Sequence, residues 1–354
     1  MELTKCKLGE LITQRREKND GSNLPICGVS KDGLIPPKQI DADTSIYNVF
    51  YRDDFIFNPA RMELNSIAIN DKYDRAICSS LYEVFFVHRT DLLLPHFLKL
   101  IVKQKWFTRY CEFLGQGSAR EYCRFNNISE IEIEFPPIEE QQRIVDYYSS
   151  IQKRIALKKQ INDNLEAQAQ SVLQDKINSS GVETTVDNLI NLFDSMRRPM
   201  SSLDRSGMER IYPYYGAASL MDYVDNYIFD GIYGLLGEDG TVMDDNGYPT
   251  MQYVWGKFWV NNHAHIFQGK NGYSTEMVYL ILKNTVVRNA VTGAVQLKIN
   301  QENLRKLPVV VPCDNDLTQL NAMIDKMFLS IRENRTEIEH LSNLKDILLA
   351  KMSD

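Results

Sequence analysis

Residues 131–136 read Ile-Glu-Ile-Glu-Phe-Pro and lead into a long amphipathic segment, and residues 307–312 read Leu-Pro-Val-Val-Val-Pro and lead into a second one. Apolar residues at every second position before a proline predict a short strand that stops where a helix starts. The two passages lie 176 residues apart in a chain of 354 residues. A long fixed period of this kind indicates two copies of one design, each a globular region followed by a long helix.

The repeat continues through both helices without a gap. Apolar residues recur there in steps of four and three, which is the seam of a coiled coil. The first seam comprises Ile144, Tyr148, Ile151, Ile155, Leu165, Ala169 and Val172, and the second comprises Leu320, Ile324, Met327, Ile331, Ile338, Leu341 and Leu348. Polar residues interrupt both seams at one equivalent place, Lys158 and Asn334. A polar residue inside a seam fixes the register of paired helices. The sequence therefore predicts globular regions over 1–137 and 181–312 and helices over 138–180 and 313–354.

Composition favours a soluble globular protein. Hydrophobic residues make up 44% of the chain and charged residues 25%, and no apolar run approaches the ~18 residues of a transmembrane helix. The N-terminal Met-Glu-Leu-Thr-Lys lacks the order of a secretion signal. Six cysteines occur without a Cys-x-x-Cys pair, which favours reduced thiols and a cytoplasmic location.

The net charge of −7 excludes a uniformly basic DNA-binding surface. Residues 1–137 carry 18 basic and 19 acidic side chains, and residues 181–312 carry 11 and 14. If the chain binds DNA, it must do so through local clusters of basic residues. Partner subunits would then supply much of the affinity for phosphate.

Both globular regions have the pattern of mixed α/β (α+β) domains. In the first, the pattern predicts strands at 49–51, 55–57 and 81–87, turns at 31–33 and 53–54, and a helix over 95–113. In the second, it predicts strands at 227–229, 231–236 and 258–260 and a helix over 276–283.

A glycine-bearing polar loop follows each predicted domain helix, at 115–120 and at 292–296. Glycine lets a loop approach a DNA groove closely because it has no Cβ, and arginine and glutamine can hydrogen-bond to base edges. The same composition suits an ordinary surface turn. Both interpretations stay open on residue chemistry alone.

Segments that look like catalytic motifs do not match those motifs in detail. Residues 58–61 read Asn-Pro-Ala-Arg rather than the Asn-Pro-Pro-aromatic motif of amino-methyltransferases, and the glycines at 234–240 have the wrong spacing for a dinucleotide site. The P-loop motif for ATP is absent from the sequence. His263 and His265 could face a metal ion together, but no cysteine or acidic ligand pattern accompanies them, which favours hydrogen-bonded or DNA-facing histidines. We expect no catalytic residue, no metal and no cofactor.

Several motifs together carry a family resemblance over essentially the whole chain. They are Leu-Gly-Glu-Leu-Ile at 8–12, Asp-Phe-Ile-Phe-Asn at 54–58, Ile-Glu-Glu-Gln-Gln-Arg-Ile-Val at 138–145, Tyr-Pro-Tyr-Tyr-Gly-Ala at 212–217 and Trp-Val-Asn-Asn-His-Ala-His at 259–265. In this order they resemble the specificity subunit of type I restriction-modification enzymes. The second helix departs from the pattern, since residues 312–316 read Pro-Cys-Asp-Asn-Asp without Glu-Gln-Gln.

The resemblance implies a non-catalytic reader of double-stranded DNA. Members of that family place two target-recognition domains on a two-part target and separate them with two long antiparallel helices. They recruit two methyltransferase (modification) subunits and, for cleavage, restriction/translocase subunits. The two regions of this chain have matched frames but dissimilar loops. Their half-sites should therefore differ, and the target should be asymmetric.

Two groups of candidate site residues follow. We expect DNA contacts from turns and loops of the two recognition domains, at Arg61, Ser79, Gln116, Gly117, Arg120, Tyr214, Tyr215, Asn262, His263, Gly293 and Gln296. We expect partner subunits to bind the outer faces of the helices at Gln141, Gln142, Arg143, Lys153, Arg154, Arg332 and Arg335. The alternative function is a coiled-coil scaffold or adaptor with two protein-binding globular ends. A neighbouring gene for an amino-methyltransferase would separate the two hypotheses.

Overall fold

The computed structural model describes residues 3–37, 39–40, 43–115, 122–293 and 296–352. The chain divides into two compact units. The first unit comprises Met1–Ala156 and Ile338–Asp354, and the second unit comprises Leu157–Glu337. None of the helices in the described ranges has both the length and the apolar composition that a membrane crossing requires.

The first unit contains two four-stranded sheets and a separate strand pair. Its strands are β1 (Thr4–Lys7), β2 (Ile12–Arg15), β3 (Ile26–Ser30), β4 (Gly33–Ile35), β5 (Asn48–Tyr51), β6 (Phe55–Phe57), β7 (Ile67–Ile69), β8 (Arg75–Cys78), β9 (Glu83–Val87) and β10 (Glu132–Phe135). Its helices are α1 (Pro95–Val102), α2 (Lys105–Gly115), α3 (Phe125–Ser129) and the start of α4 (Ile138–Ser180). The strand orders are β2-β9-β6-β7, β4-β3-β8-β5 and β1-β10.

Aromatic side chains build the core of the first unit. Phe55 stacks on Phe85 with 5.0 Å between ring centroids, and Phe57 meets Phe85 edge-on at 6.0 Å. Phe97 and Ile101 of α1 are buried in the same cluster. The helix therefore covers the face of the sheet on which these rings lie.

The second unit is built on one six-stranded sheet. Its strands are β11 (Gly181–Thr185), β12 (Ile190–Leu192), β13 (Tyr212–Tyr215), β14 (Leu220–Val224), β15 (Phe229–Gly237), β16 (Met251–Val260), β17 (Ala264–Gly269), β18 (Val291–Thr292), β19 (Lys298–Ile299) and β20 (Pro308–Pro312). Its helices, besides the end of α4, are α5 (Ser202–Arg205), α6 (Thr275–Lys283), α7 (Gln301–Lys306) and most of α8 (Asp314–Lys351). The sheet order is β12-β17-β15-β16-β13-β14, and β11-β20 and β18-β19 form pairs.

The repeat predicted from the sequence is present in the strands that precede the long helices. In the first unit β10 pairs antiparallel with β1, and in the second unit β20 pairs antiparallel with β11. Each pair joins the two ends of its globular region. Pro136 follows β10 and Pro312 is the last residue of β20. Neither proline can donate a ladder hydrogen bond, so pairing stops where the helix begins.

The polar interruption of the seam is also present. In the second unit Lys158 of α4 donates to Asn334 Oδ1 of α8 at 2.7 Å, and Asn334 donates to Asn162 Oδ1 at 2.8 Å. At the other end of this pairing, Cys313 lies against Ser180. The two helices therefore run antiparallel through the second unit. Lys158 and Asn334, which are equivalent in the repeat, meet each other.

The predicted helix over 95–113 is wrong in one respect, because it is broken into α1 and α2. Asn65 Nδ2 donates to the carbonyl oxygen of Val102 at 2.6 Å and to Thr108 Oγ1 at 2.8 Å. The Asn65 side chain thus hydrogen-bonds both the last carbonyl oxygen of α1 and a hydroxyl in the first half of α2. The contact comes from a residue 37 positions earlier, so a local pattern could not predict it.

Candidate nucleic-acid interface

Three loops of the second unit converge on one surface. Glu238 N donates to His263 O at 2.8 Å, Gly240 N donates to Leu297 O at 3.0 Å, and Asp239 forms an antiparallel bridge with Lys298. These bonds join the end of β15, the β16–β17 connection and the segment before β19. Four of the predicted DNA-binding residues lie on two of these loops: Asn262, His263, Gly293 and Gln296.

Asn262 and His263 are both exposed. His263 pairs with Asp239 through Nδ1, and its backbone amide donates to the buried Asn261 Oδ1 at 2.9 Å. The buried asparagine thus fixes the backbone from which the exposed pair projects.

Gly293 has a φ of +91°, and a Cβ there would collide with the carbonyl oxygen of Gln296. Only glycine relieves both the strain and the collision. The turn that presents the exposed Gln296 therefore depends on Gly293.

Tyr214 and Tyr215 have inward roles. Tyr214 is 1% exposed, and its hydroxyl oxygen accepts from Met200 N at 3.1 Å. This burial argues against the predicted direct DNA contact by Tyr214, because a side chain packed inside the unit cannot reach a groove. Tyr215 packs edge-on against Phe258 at 5.9 Å, and its carbonyl oxygen accepts from Asn261 N at 3.0 Å. The Tyr214 side chain is therefore packed inside the unit, and the backbone of Tyr215 holds the loop that follows β16.

A largely buried ionic network lies beneath the three loops, with Asp194 and His265 buried and Arg197 and Glu238 half-buried. Arg197 Nη1 donates to Glu238 Oε2 at 2.5 Å and to the carbonyl oxygens of Ala264 at 2.7 Å and Asn262 at 3.3 Å. Asp194 accepts from Ile266 N at 2.9 Å and contacts His265 Nδ1 at 2.6 Å. The network therefore fastens one segment to both the β15 end and the β16–β17 connection.

Burial alone would raise the pKa of Asp194, but the hydrogen bond and charge of His265, the Ile266 amide and the Arg197 charge outweigh it and lower the pKa. Asp194 is therefore a carboxylate.

The donor chemistry of this network does not fit a metal ion. Asp194, Glu238 and His265 place ligand atoms within 4.8 Å of one another. His265 Nε2 faces the carbonyl oxygen of Ile299 at 2.8 Å, so it must donate, while Nδ1 faces a carboxylate. Both ring nitrogens of His265 therefore already have partners within the protein, and the Glu238 carboxylate pairs with Arg197. His263 pairs with a different carboxylate, so the two histidines do not share a site.

Two candidates in the first unit lie in surface turns. Arg61 is exposed in the turn over Pro59–Leu64, and Ser79 is half-buried and opens the β8–β9 turn by accepting from Tyr82 N at 3.0 Å. Gln116, Gly117 and Arg120 lie outside the described residues. Just after that loop, Cys123 N donates to Pro59 O at 3.0 Å. The bond places Cys123 beside the turn that carries Arg61.

Gln141 does not present its side chain to a partner. It is fully buried, its Oε1 accepts from Leu94 N at 2.9 Å, and its Nε2 donates to Leu92 O at 2.7 Å and Pro136 O at 2.8 Å. All three bonds bind the start of α4 to the segment before α1. The prediction of a partner contact at Gln141 is therefore wrong, because its amide is used up within the first unit.

Arg332 and Arg335 are also turned inward. Arg332, whose side chain is 16% exposed, donates to Glu276 Oε1 at 2.8 Å and to the Tyr253 hydroxyl. Arg335 lies over the Trp255 ring at 5.4 Å. They dock α8 on the sheet and α6 of the second unit, which corrects their assignment to an outer face. Gln142, Arg143, Lys153 and Arg154 are exposed.

The comparisons with known proteins agree with this architecture. The family model described as the type I restriction modification DNA specificity domain matches residues 7–167 and 183–340. The chain belongs to this family. Both matches run from a globular region into the long helix that follows it, so the specificity domain occurs twice.

A proposed type I restriction enzyme specificity subunit of Haemophilus influenzae is 32% identical over 143 residues, which is 40% of this chain and 36% of that protein. The alignment thus spans about a third of the relative. The crystal structure of a type I restriction-modification S subunit from M. genitalium matches with a TM-score of 0.63 at 15% identity, over 99% of this chain and 96% of the other. The HsdS subunit from Thermoanaerobacter tengcongensis has a TM-score of 0.43 at 14% identity, over 99% and 96%. The first of these two structures supports the fold alone.

The sequence interpretation of this specificity-domain protein missed the segment that contains Arg197 and Arg198. One signal was available, since these two arginines are adjacent in a region with only 11 basic residues over 181–312. Asp194 carried no such signal, because its partner His265 lies 71 residues away.

Proposed function

We propose that this chain is the DNA sequence-specificity subunit of a type I restriction-modification complex. It is a non-catalytic subunit that binds an asymmetric two-part DNA target and recruits methyltransferase subunits, with restriction/translocase subunits joining for cleavage. The observation that carries the proposal is the family match to both halves of the chain. We assign residues 1–137 and 181–312 to target recognition and residues 138–180 and 313–354 to the spacer helices.

The second recognition surface consists of the loop cluster around Asn262, His263, Gly293 and Gln296. All four residues are exposed, and Arg197 and Asn261 hold the backbone of the loop that carries Asn262 and His263. Rigid loops lose little conformational entropy on binding, which favours affinity. The first recognition surface consists of Arg61, Ser79 and the loop with Gln116, Gly117 and Arg120. Because the two surfaces share no residue pattern, the half-sites they read should differ.

The methyltransferase subunits bind the exposed faces of the helices. Gln142, Arg143, Lys153 and Arg154 stay as candidates on α4, because Gln141, Arg332 and Arg335 have internal partners. We propose two methyltransferase subunits per chain, one for each copy of the repeat. None of the six cysteines forms a disulfide bond within the part of the chain that the structure describes, which suits the reducing cytoplasm in which the complex would act.

The test is to express the chain with the methyltransferase encoded beside it and to map methylated adenines in the host DNA. The expected result is one asymmetric two-part motif that disappears when the chain is deleted. Methylation that does not depend on the chain would contradict the proposal and favour the scaffold alternative. The native mass of the purified complex tests the stoichiometry, and a stable complex with one methyltransferase that methylates both strands would overturn it.

A further inference from the structure

Side chains from other parts of the second unit hold the backbone of residues 197–200. Trp259 Nε1 donates to the carbonyl oxygen of Arg198 at 2.6 Å. The Tyr214 hydroxyl accepts from Met200 N at 3.1 Å, and Arg205 Nη1 donates to Met200 O at 2.6 Å. At the other end, the Arg197 side chain is tied into the buried network. A short segment held by four separate side chains has little freedom to rearrange.

The side chain of Arg198 extends from this rigid backbone into solvent. Arg198 is exposed, and its guanidinium has no carboxylate partner among the residues that the structure describes. The other arginines of the second unit contrast with it, since each has a carboxylate, a carbonyl oxygen or an aromatic ring against it: Arg197, Arg205, Arg210, Arg288, Arg305, Arg332 and Arg335. A ligand that binds Arg198 therefore has no internal ion pair to break.

This segment borders the loop cluster. Arg197 Nη1 reaches the carbonyl oxygen of Asn262, and Trp259, which holds Arg198, lies three residues before Asn262 in the chain. Arg198 therefore lies next to Arg197, which contacts the loop of Asn262 and His263. An unpaired arginine at the rim of these exposed polar loops adds the positive charge that His263, paired with Asp239, does not supply.

We propose that Arg198 is a DNA-contacting residue of the second recognition surface, presented by a segment that Trp259, Tyr214 and Arg197 hold rigid. The proposal rests on the proposed function, because it names a contact of that same surface. A guanidinium binds a phosphate or the O6 and N7 atoms of guanine through two parallel hydrogen bonds. The two sources of the contact differ in their dependence on sequence and on salt.

The experiment compares Arg198→Ala with wild type in the purified complex of the chain with its methyltransferase. The probe is a fluorescent duplex that carries the mapped methylation motif, and its affinity is measured at several salt concentrations. Lys306→Ala is the matched control, because it removes one positive charge from an exposed side chain that pairs with Glu302 on the same helix. Thermal melting of each variant checks that it folds.

Arg198→Ala should weaken binding by roughly five-fold to a hundred-fold, while Lys306→Ala stays within about two-fold of wild type. Relaxation of one base in the second half of the methylated motif would assign the contact to guanine. Equal weakening on all sequences, with a salt slope lower by about one, would assign it to phosphate. Trp259→Phe, which keeps an aromatic ring but loses the indole N–H, should cause a smaller loss of affinity with an unchanged motif.

Affinity and motif within about two-fold of wild type for Arg198→Ala would overturn the contact. If Trp259→Phe binds DNA with wild-type affinity, the hydrogen bond from Trp259 to the backbone of Arg198 does not support the contact. A wild-type complex that methylates no defined sequence would overturn the proposed function together with this inference, whereas a defined wild-type motif with an unaffected Arg198→Ala variant overturns this inference alone.

Discussion

Replacing Gln141 should destabilise the first unit rather than weaken partner binding. Gln141→Ala removes one acceptor from Leu94 N and one donor from each of the carbonyl oxygens of Leu92 and Pro136. The side chain is completely buried, so water cannot readily replace these bonds. Each backbone group left without a partner costs about 1–3 kcal/mol, and we take the lower end because the segment can relax. The expected loss is about 3 kcal/mol of the free energy of unfolding.

The adjacent Gln142 provides the matched control. It is exposed, and its Nε2 donates to Asp146 Oδ1 one turn along the same helix at 2.8 Å. Gln142→Ala should therefore change the free energy of unfolding by less than about 0.5 kcal/mol. If Gln142 belongs to the partner surface, this variant should instead weaken binding of the methyltransferase subunit.

Urea unfolding of the purified chain, followed by tryptophan fluorescence, measures the difference. Thermal melting provides a second readout, with an expected decrease of roughly 6–12 °C for the transition that includes the first unit. Gln141→Glu keeps the acceptor but places a carboxylate against two carbonyl oxygens, so it should be at least as damaging as Gln141→Ala. Equal stability of the Gln141→Ala and Gln142→Ala variants would show that the hydrogen bonds of Gln141 to Leu92, Leu94 and Pro136 do not stabilise the first unit.

Three further predictions concern the second unit. Arg332→Ala should cost about 3–5 kcal/mol because it leaves the buried Glu276 without its cation, and adding Glu276→Gln should restore part of this loss in urea unfolding. The lowered pKa of Asp194 contributes stability that is complete above its usual value of 3.8 and is lost as the pH falls through the lower folded value. Unfolding of wild type and Asp194→Asn between pH 7 and pH 3 measures this contribution, and the stability difference between them should shrink in the most acidic samples. A difference that stays constant would contradict the role of Asp194 in the network. Gly293→Ala should cost about 1–3 kcal/mol of the free energy of unfolding through strain at its positive φ. It should also alter the second half of the methylated motif and leave the first half intact. An unchanged motif would show that this loop does not contact the DNA bases.

Much of the architecture could be predicted from the sequence because it is periodic. The steps of four and three in α4 and α8 follow from the geometry of a helix that buries one seam, and the alternation in β10 and β20 follows from a strand that buries one face. The polar pair Lys158 and Asn334 was visible as an interruption of that period at equivalent places. The family resemblance depended on the same ordered features together with short motifs, and the family match confirms it.

The roles of individual polar side chains depended on tertiary contacts. Gln141 belongs to a motif that suggested a partner surface, but its bonds go to Leu92 and Leu94, which are 49 and 47 residues away. Arg332 lies on a helix face that looks external in the heptad, yet the domain packed on that side supplies Glu276 from 56 residues away. Periodicity records which side chains are apolar, whereas the partner of a buried polar group is chosen by whichever distant element the fold brings against it. For the same reason the sequence could propose the loops around Asn262 and Gly293, but only the folded chain places Arg197 beneath them and Arg198 at their edge.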